Sequence, residues 1–153
     1  LWVAAIFFAT GLLFKTFGFT TEFMMKFFHW IPSNYMLSMG LSGEFTKLNL
    51  IITYVCFLVF IVLVLPAVEE IYFRGYLLPR MPVELKGWVV PIHSALFALY
   101  HTWTPWLIVS RTVGVLPLIY LVKHKENIYI GIAAHCIINS FDLIVGILFI
   151  INT

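Results

Sequence analysis

Charge along this chain is sparse and falls mostly in short intervals between long apolar runs. The stretch LNLIITYVCFLVFIVLVL, residues 48–65, contains no charged residue at all. Runs near or above about 18 apolar residues mark helices that cross a bilayer. A strong span is therefore expected from Leu48. It should kink at Pro66, where an N–H is missing and the ring crowds the preceding turn, and run on to about Leu78. Further spans are expected from about Trp88 to Trp103, from Trp106 to Val122 and from Ile128 to Ile151. Residues 1–14 read as the end of another span, closed by Lys15. Between 20 and 47, Glu22, Lys26, Glu44 and Lys47 stand among aromatics with IPSN and SGE punctuation. That pattern predicts an interfacial or amphipathic helix plus loop, or a short extra span.

Composition strengthens the membrane reading. The 153 residues are 62% hydrophobic and 10% charged, whereas a soluble domain carries about 25% charged residues. The expected fold class is an all-α, polytopic transmembrane helix bundle with the lipid bilayer as its surroundings. Residues 1–47 form N-terminal membrane or interfacial segments and residues 48–153 the core. The chain opens on LWVAAIFFATGLLF without a starting Met or basic leader, so it is expected to be trimmed from a longer protein. A net charge of +2 is too small to point to nucleic acid. Cys56 and Cys136 both lie in apolar runs, where a small buried hydrophobe is the default, and their spacing is not that of a metal or disulfide motif.

The loops set an orientation. Residues 79–87 and 123–127 must share a side if each intervening helix crosses once. They hold Arg80, Lys86, Lys123 and Lys125, while the TP turn at 104–105 holds no base. The positive-inside rule makes the basic side cytoplasmic.

Against this background the ionisable residues inside the spans need a reason, since each costs about 2.5 to 3.5 kcal/mol to insert. They are Glu69, Glu70, Arg74, His93, His101, Arg111, His135 and Asp142, with Asn139 as a neutral companion. Glu70 and Arg74, four apart, can form an ion pair with the acid on the favoured N-terminal side. Glu69 is rotated about 100° away and has no such intrahelical partner. Phe97 and His101 share one helix face; His135, Asn139 and, seven beyond, Asp142 share another. Counted from the basic loops, Glu69 lies about 16 Å deep, His101 about 21 Å, His135 about 12 Å and Asn139 about 18 Å. One cavity could hold all four. Bland readings exist for the others: a structural ion pair for Glu70 and Arg74, a satisfied core histidine for His93, and interface positions for His29 and His124. Arg111 and Asp142, at similar depth, could pair with each other, either as structure or in support of the site.

EEIYFR (69–74), FALYH (97–101) and HCIIN (135–139), in that order and each on an expected span, resemble the EExxxR, FxxxH and HxxxN motifs of the CPBP family. These are the CAAX-protease and bacteriocin-processing, or Abi, intramembrane proteins. The resemblance covers about residues 48–151 and implies more spans than are counted here. It implies a glutamate-dependent intramembrane endopeptidase, CAAX prenyl protease-like. Its substrates would be membrane-anchored or lipidated peptides, either prenylated CAAX tails or bacteriocin leaders. Carried over, Glu69 and His101 would activate water, His135 and Asn139 would bind the oxyanion, and Glu70 and Arg74 would support the first glutamate and its helix. The chemistry is coherent: hydrolysis needs a base near its working pH, which apolar surroundings help a carboxylate to become. It also needs donors aimed at the developing oxyanion.

No cofactor is expected. The alternative is zinc held by Glu69, His101 and His135, although HExxH is absent and Asn139 suits an oxyanion better than a metal. Two further alternatives are a proton-coupled transporter using the same groups as a relay and a non-enzymatic bacteriocin-immunity or binding protein. The inverted repeats of a transporter are not visible, and the intact set of Glu69, His101, His135 and Asn139 argues against an idle protein.

Overall fold

The structure, a computed structural model, describes residues 1–31 and 45–152; most of IPSN and all of SGE lie outside the described residues. The described residues are helical, without a strand. Helix α1 is Trp2–Thr16 and α2 is Gly18–Met25. The long α3 is Lys47–Arg80. Then follow α4 Val89–Tyr100, α5 Ile108–Gly114, α6 Leu116–Lys125 and α7 Ile128–Asn152. This is the expected all-α bundle.

Helix α3 begins where Thr46 accepts a hydrogen bond from the Asn49 N–H at 3.3 Å, which satisfies one of the four free donors of a helix start. It then runs 34 residues, through Pro66. The kink expected there takes the form of wide turns on both sides, over Phe57–Val64 and Ile71–Leu77. In that register the Leu65 N–H reaches back five residues to the Phe60 carbonyl. The next bond would join residue 66 to the Ile61 carbonyl, but proline has no N–H to give. A wide turn also carries the i−4 carbonyl away from the ring that would strike it.

Two of the expected spans are corrected. The Trp88–Trp103 segment contains only the 12-residue α4, about 18 Å long against a hydrocarbon core of about 30 Å. Before it, Lys86 takes a left-handed backbone (φ 46°); after it, the chain leaves helical geometry at His101 (ψ 58°). The Trp106–Val122 segment is not one straight span. A short turn at Pro105–Leu107 leads into α5, and α5 and α6 meet at a 44° bend. Pro117, the second residue of α6, lacks the N–H that would have bonded back to Val113 and kept the helix straight. Helices α1 and α2 meet in the same manner at 47°, so the span closed by Lys15 is followed directly by a second helical piece. Among the described residues two helices are long and apolar enough to cross a membrane, or four if each bent pair counts as one span.

Packing is concentrated at two points. Ile6, Leu78, Val89, Leu118, Ile119, Val122 and Ala134 form a core near the basic loops. Leu50, Tyr54, Val62, Leu143 and Ile150 join α3 to α7 further along. At that crossing a Cβ on Gly146 would lie 1.9 Å from the Tyr54 ring, so only glycine admits the tyrosine. Elsewhere α3 turns Ile51, Ile52, Val55, Val59, Phe60, Leu63 and Val64 outward. An apolar face of this extent is the surface a helix presents to lipid, where its backbone polar groups are already satisfied internally.

Loops 79–87 and 123–127 share one end of the bundle, as expected. Met81, Pro82, Val83 and Lys86 face Lys123, Glu126 and Asn127 around a cavity of about 710 Å³.

Candidate active site

Deeper in the bundle lies a second cavity, of about 730 Å³. Glu69, Arg74, His101, His135 and Asn139 all line it. Three helices deliver them: α3 brings Glu69 and Arg74, α4 ends at His101, and α7 carries His135 and Asn139 one turn apart. The size falls within the roughly 300–1,000 Å³ of small-ligand sites.

Glu70 stands behind this wall and is fully buried. Its Oε1 lies 3.1 Å from Arg74 Nη1 and accepts from His135 Nδ1 at 3.0 Å. The ion pair expected from the four-residue spacing is present, with a third member. The spacing of residues on α3 could not reveal His135, because that contact crosses from α3 to α7. Glu70 supports the histidine more directly than it supports Glu69.

A glycine makes this approach possible. A Cβ on Gly131 would sit 2.7 Å from Glu70 Oε2 and 2.9 Å from Val122 Cγ2. Gly131 is one turn before His135 on α7, so the helix face that presents the imidazole also leaves a cleft for its carboxylate partner. Nothing in the motifs points to Gly131. The one available signal is its position four residues before the histidine, on the same face.

Phe97 has a use beyond filling space. The Arg74 guanidinium carbon lies 4.1 Å from its ring centroid, a cation–π geometry that accommodates the charge where Glu70 does not reach. The same ring meets His101 edge-on at 4.7 Å and His135 at 6.0 Å. The carbonyl of Phe97 accepts from His101 Nδ1 at 2.9 Å. That bond explains the four-residue spacing: His101 is the first residue past α4, and its ring closes a carbonyl that the ending helix leaves free. With the Nδ1–H so engaged, a neutral His101 keeps Nε2 as an acceptor.

His135 is fixed in the same way. Its Nδ1–H goes to Glu70, so its Nε2 carries a proton only when the ring is an imidazolium. That nitrogen is 3.8 Å from Glu69 Oε2, ion-pair range but too long for a hydrogen bond. Glu69 is 5% exposed, and its Oε1 makes no hydrogen bond with any described residue.

Asn139 Nδ2 donates to the Ile61 carbonyl at 3.0 Å. This is the carbonyl that Pro66 cannot serve. The amide has two N–H groups, so one is committed to α3 and one remains for another acceptor.

The other ionisable residues separate clearly. His93 is fully buried, with Nε2 bonded to the Phe73 carbonyl at 2.8 Å, as a core histidine should be. His29 bonds the Lys26 carbonyl, and His124 stacks on Tyr120. Arg111 and Asp142 both line the cavity but form no ion pair with each other. Arg111 instead donates to Thr104 Oγ1 at 2.9 Å. As for zinc, among the described residues no three His, Cys, Asp or Glu side chains are gathered to hold a metal ion. Glu69, His101 and His135 are thus not preformed as a ligand set.

A family model described as type II CAAX prenyl endopeptidase Rce1-like matches residues 51–141, more than half of the chain. The matched segment contains Glu69, Arg74, His101, Arg111, His135 and Asn139, and ends one residue before Asp142. No curated protein and no solved structure matches the chain.

Proposed function

Because the chain belongs to the Rce1-like family of type II CAAX prenyl endopeptidases, we propose that the deeper cavity hydrolyses a peptide bond of a membrane-anchored, lipidated substrate without a metal. The observation that carries this reading is the meeting of Glu69, His101, His135 and Asn139 on one cavity wall.

Water is activated between Glu69 and His101. Glu69 offers a buried oxygen with no other partner among the described residues, and His101 Nε2 is free because Nδ1 is bonded to Phe97. The water oxygen attacks the carbonyl carbon as its proton passes to Glu69, and the C=O π pair moves onto oxygen. The oxyanion is met by the Nε2–H that His135 offers whenever its ring is an imidazolium, and by the second Asn139 N–H. Collapse of the tetrahedral intermediate breaks the C–N bond as the proton on Glu69 passes to the departing nitrogen. Donors fixed in place before the reaction are what make such a site effective.

Access suits a lipidated chain. Phe57, Ile61, Leu65 and Phe141 line the same cavity, giving an apolar route for a substrate held in the bilayer. The basic end, with Lys86 and Lys123 around the outer cavity, is taken as cytoplasmic by the positive-inside rule.

The test is cleavage of a lipidated membrane peptide by the purified protein, with and without chelator. Cleavage is expected to survive chelation and to vanish in Glu69→Gln at unchanged thermal stability. Wild-type turnover by Glu69→Gln, or activity lost to chelation and restored by zinc, would overturn the proposal.

A further inference from the structure

Three charged groups on the cavity wall, Arg74, Arg111 and Asp142, have no part in the reaction just described. Arg111 projects from α5 into the cavity that contains Glu69, His101 and His135. Among the described residues its one side-chain hydrogen bond runs from Nη1 to Thr104 Oγ1, in the turn between α4 and α5, where Thr104 is buried. Among the described residues no carboxylate forms an ion pair with it. Arg74, the other arginine on this wall, is by contrast neutralised by Glu70 at 3.1 Å. Asp142 lines the cavity too, yet lies beyond ion-pair distance. Glu69 acts on Arg111 only through space, as a longer-range electrostatic partner.

An arginine in an apolar span is costly and usually either paired or used. A guanidinium has five N–H donors. Here one is tied to a buried threonine, which orients the group, and the others bond no described residue. Planar forked donors match a carboxylate two bonds at a time.

We infer that Arg111 binds a carboxylate of the substrate peptide and so selects which peptides the cavity accepts. This rests on the endopeptidase reading of the same cavity. The carboxylate has two possible sources, the free C-terminus of the peptide or an acidic side chain near the scissile bond.

Three otherwise identical lipidated peptides distinguish them: one ending in a free acid, one ending in an amide, and the amide with a glutamate beyond the scissile bond. Charge-assisted hydrogen bonds contribute about 1.5 to 3 kcal/mol, which corresponds to roughly tenfold to a hundredfold in affinity. Wild-type KM should be lower by that factor for a carboxylate-bearing peptide than for the neutral amide, and the peptide that shows the gain identifies the source. Arg111→Gln should abolish the difference, raising KM for the carboxylate-bearing peptide to that of the neutral amide. Arg111→Lys, which keeps the charge without the fork, should retain part of it.

Two results would overturn the inference. One is equal KM for all three peptides in the wild type. The other is a kcat loss in Arg111→Gln that is the same for acid and amide peptides, since Arg111 would then act through Glu69. Binding of the same peptides to Glu69→Gln, followed by fluorescence anisotropy, keeps the two readings apart. Carboxylate-dependent binding lost in the Glu69→Gln, Arg111→Gln double variant upholds the recognition role even if the wild type cleaves none of the peptides. Binding indifferent to the carboxylate removes it.

Discussion

Asn139 has two obligations, and separating them tests how the site is built. Its Nδ2 closes the Ile61 carbonyl at 3.0 Å, a group that lost its backbone donor when residue 66 became proline. Asn139→Ala should therefore cost stability as well as rate. Interhelical hydrogen bonds in membranes are worth about 0.6 kcal/mol on average and about 1.7 at most. A carbonyl without a backbone donor belongs at the upper end, so a loss of about 1 to 1.7 kcal/mol is expected. The rate should also fall, by about a hundred- to a thousandfold, as when an oxyanion donor is removed. Pro66→Ala separates the two effects. It returns an N–H to position 66, in register with Ile61, so the side-chain bond becomes redundant. In the Pro66→Ala background, Asn139→Ala should cost almost nothing in stability while its effect on rate persists. Thermal unfolding in detergent and steady-state cleavage, measured on the four proteins of this cycle, read the two quantities separately. An equal stability cost in both backgrounds would mean that Asn139 does not stand in for the missing proline N–H. A rate effect that disappears with Pro66→Ala would mean that Asn139 acts only through the shape of α3.

Arg74→Ala removes the cation from a fully buried Glu70. Stranding one member of a buried pair costs about 3 to 5 kcal/mol, so folding and activity should be lost together, in contrast to Glu69→Gln; a stable Arg74→Ala protein in size-exclusion and unfolding assays would refute this. Gly131→Ala places a Cβ 2.7 Å from Glu70 Oε2. Overpacking of this kind costs about 1 to 3 kcal/mol and should drive Glu70 off His135, lowering kcat more than it raises KM; unchanged kinetics would show that the cleft tolerates a methyl group.

Much of the architecture is written locally in the chain. An uncharged run of 18 residues from Leu48 to Leu65 is long enough to cross a bilayer as a helix, and the body of α3 follows from it. Four-residue spacing likewise anticipates the Glu70–Arg74 pair, because both members sit on one helix. The family motifs rest on the same short-range arithmetic, and of their residues Glu69, Arg74, Phe97, His101, His135 and Asn139 line the deeper cavity. Where the reading failed, the cause was again local but of a kind that apolar runs conceal. The interval from Trp88 to Trp103 is long and apolar enough to suggest a span, yet the twelve residues of α4 do not fill it. Pro117 bends a segment whose composition looks continuous.

Which helix faces which lies beyond such arithmetic. Glu70 turns to His135 across 65 positions, and Asn139 reaches Ile61 across 78. Arg111, which its depth allowed to pair with Asp142, is instead drawn to Thr104 by the turn that ends α4. Periodicity assigns a residue to a face of its own helix, but the rotation of one helix against another is settled by packing. Gly131 and Gly146, each too small to obstruct its neighbour, let α7 settle against α3. That approach, rather than any motif, places a carboxylate behind the imidazole.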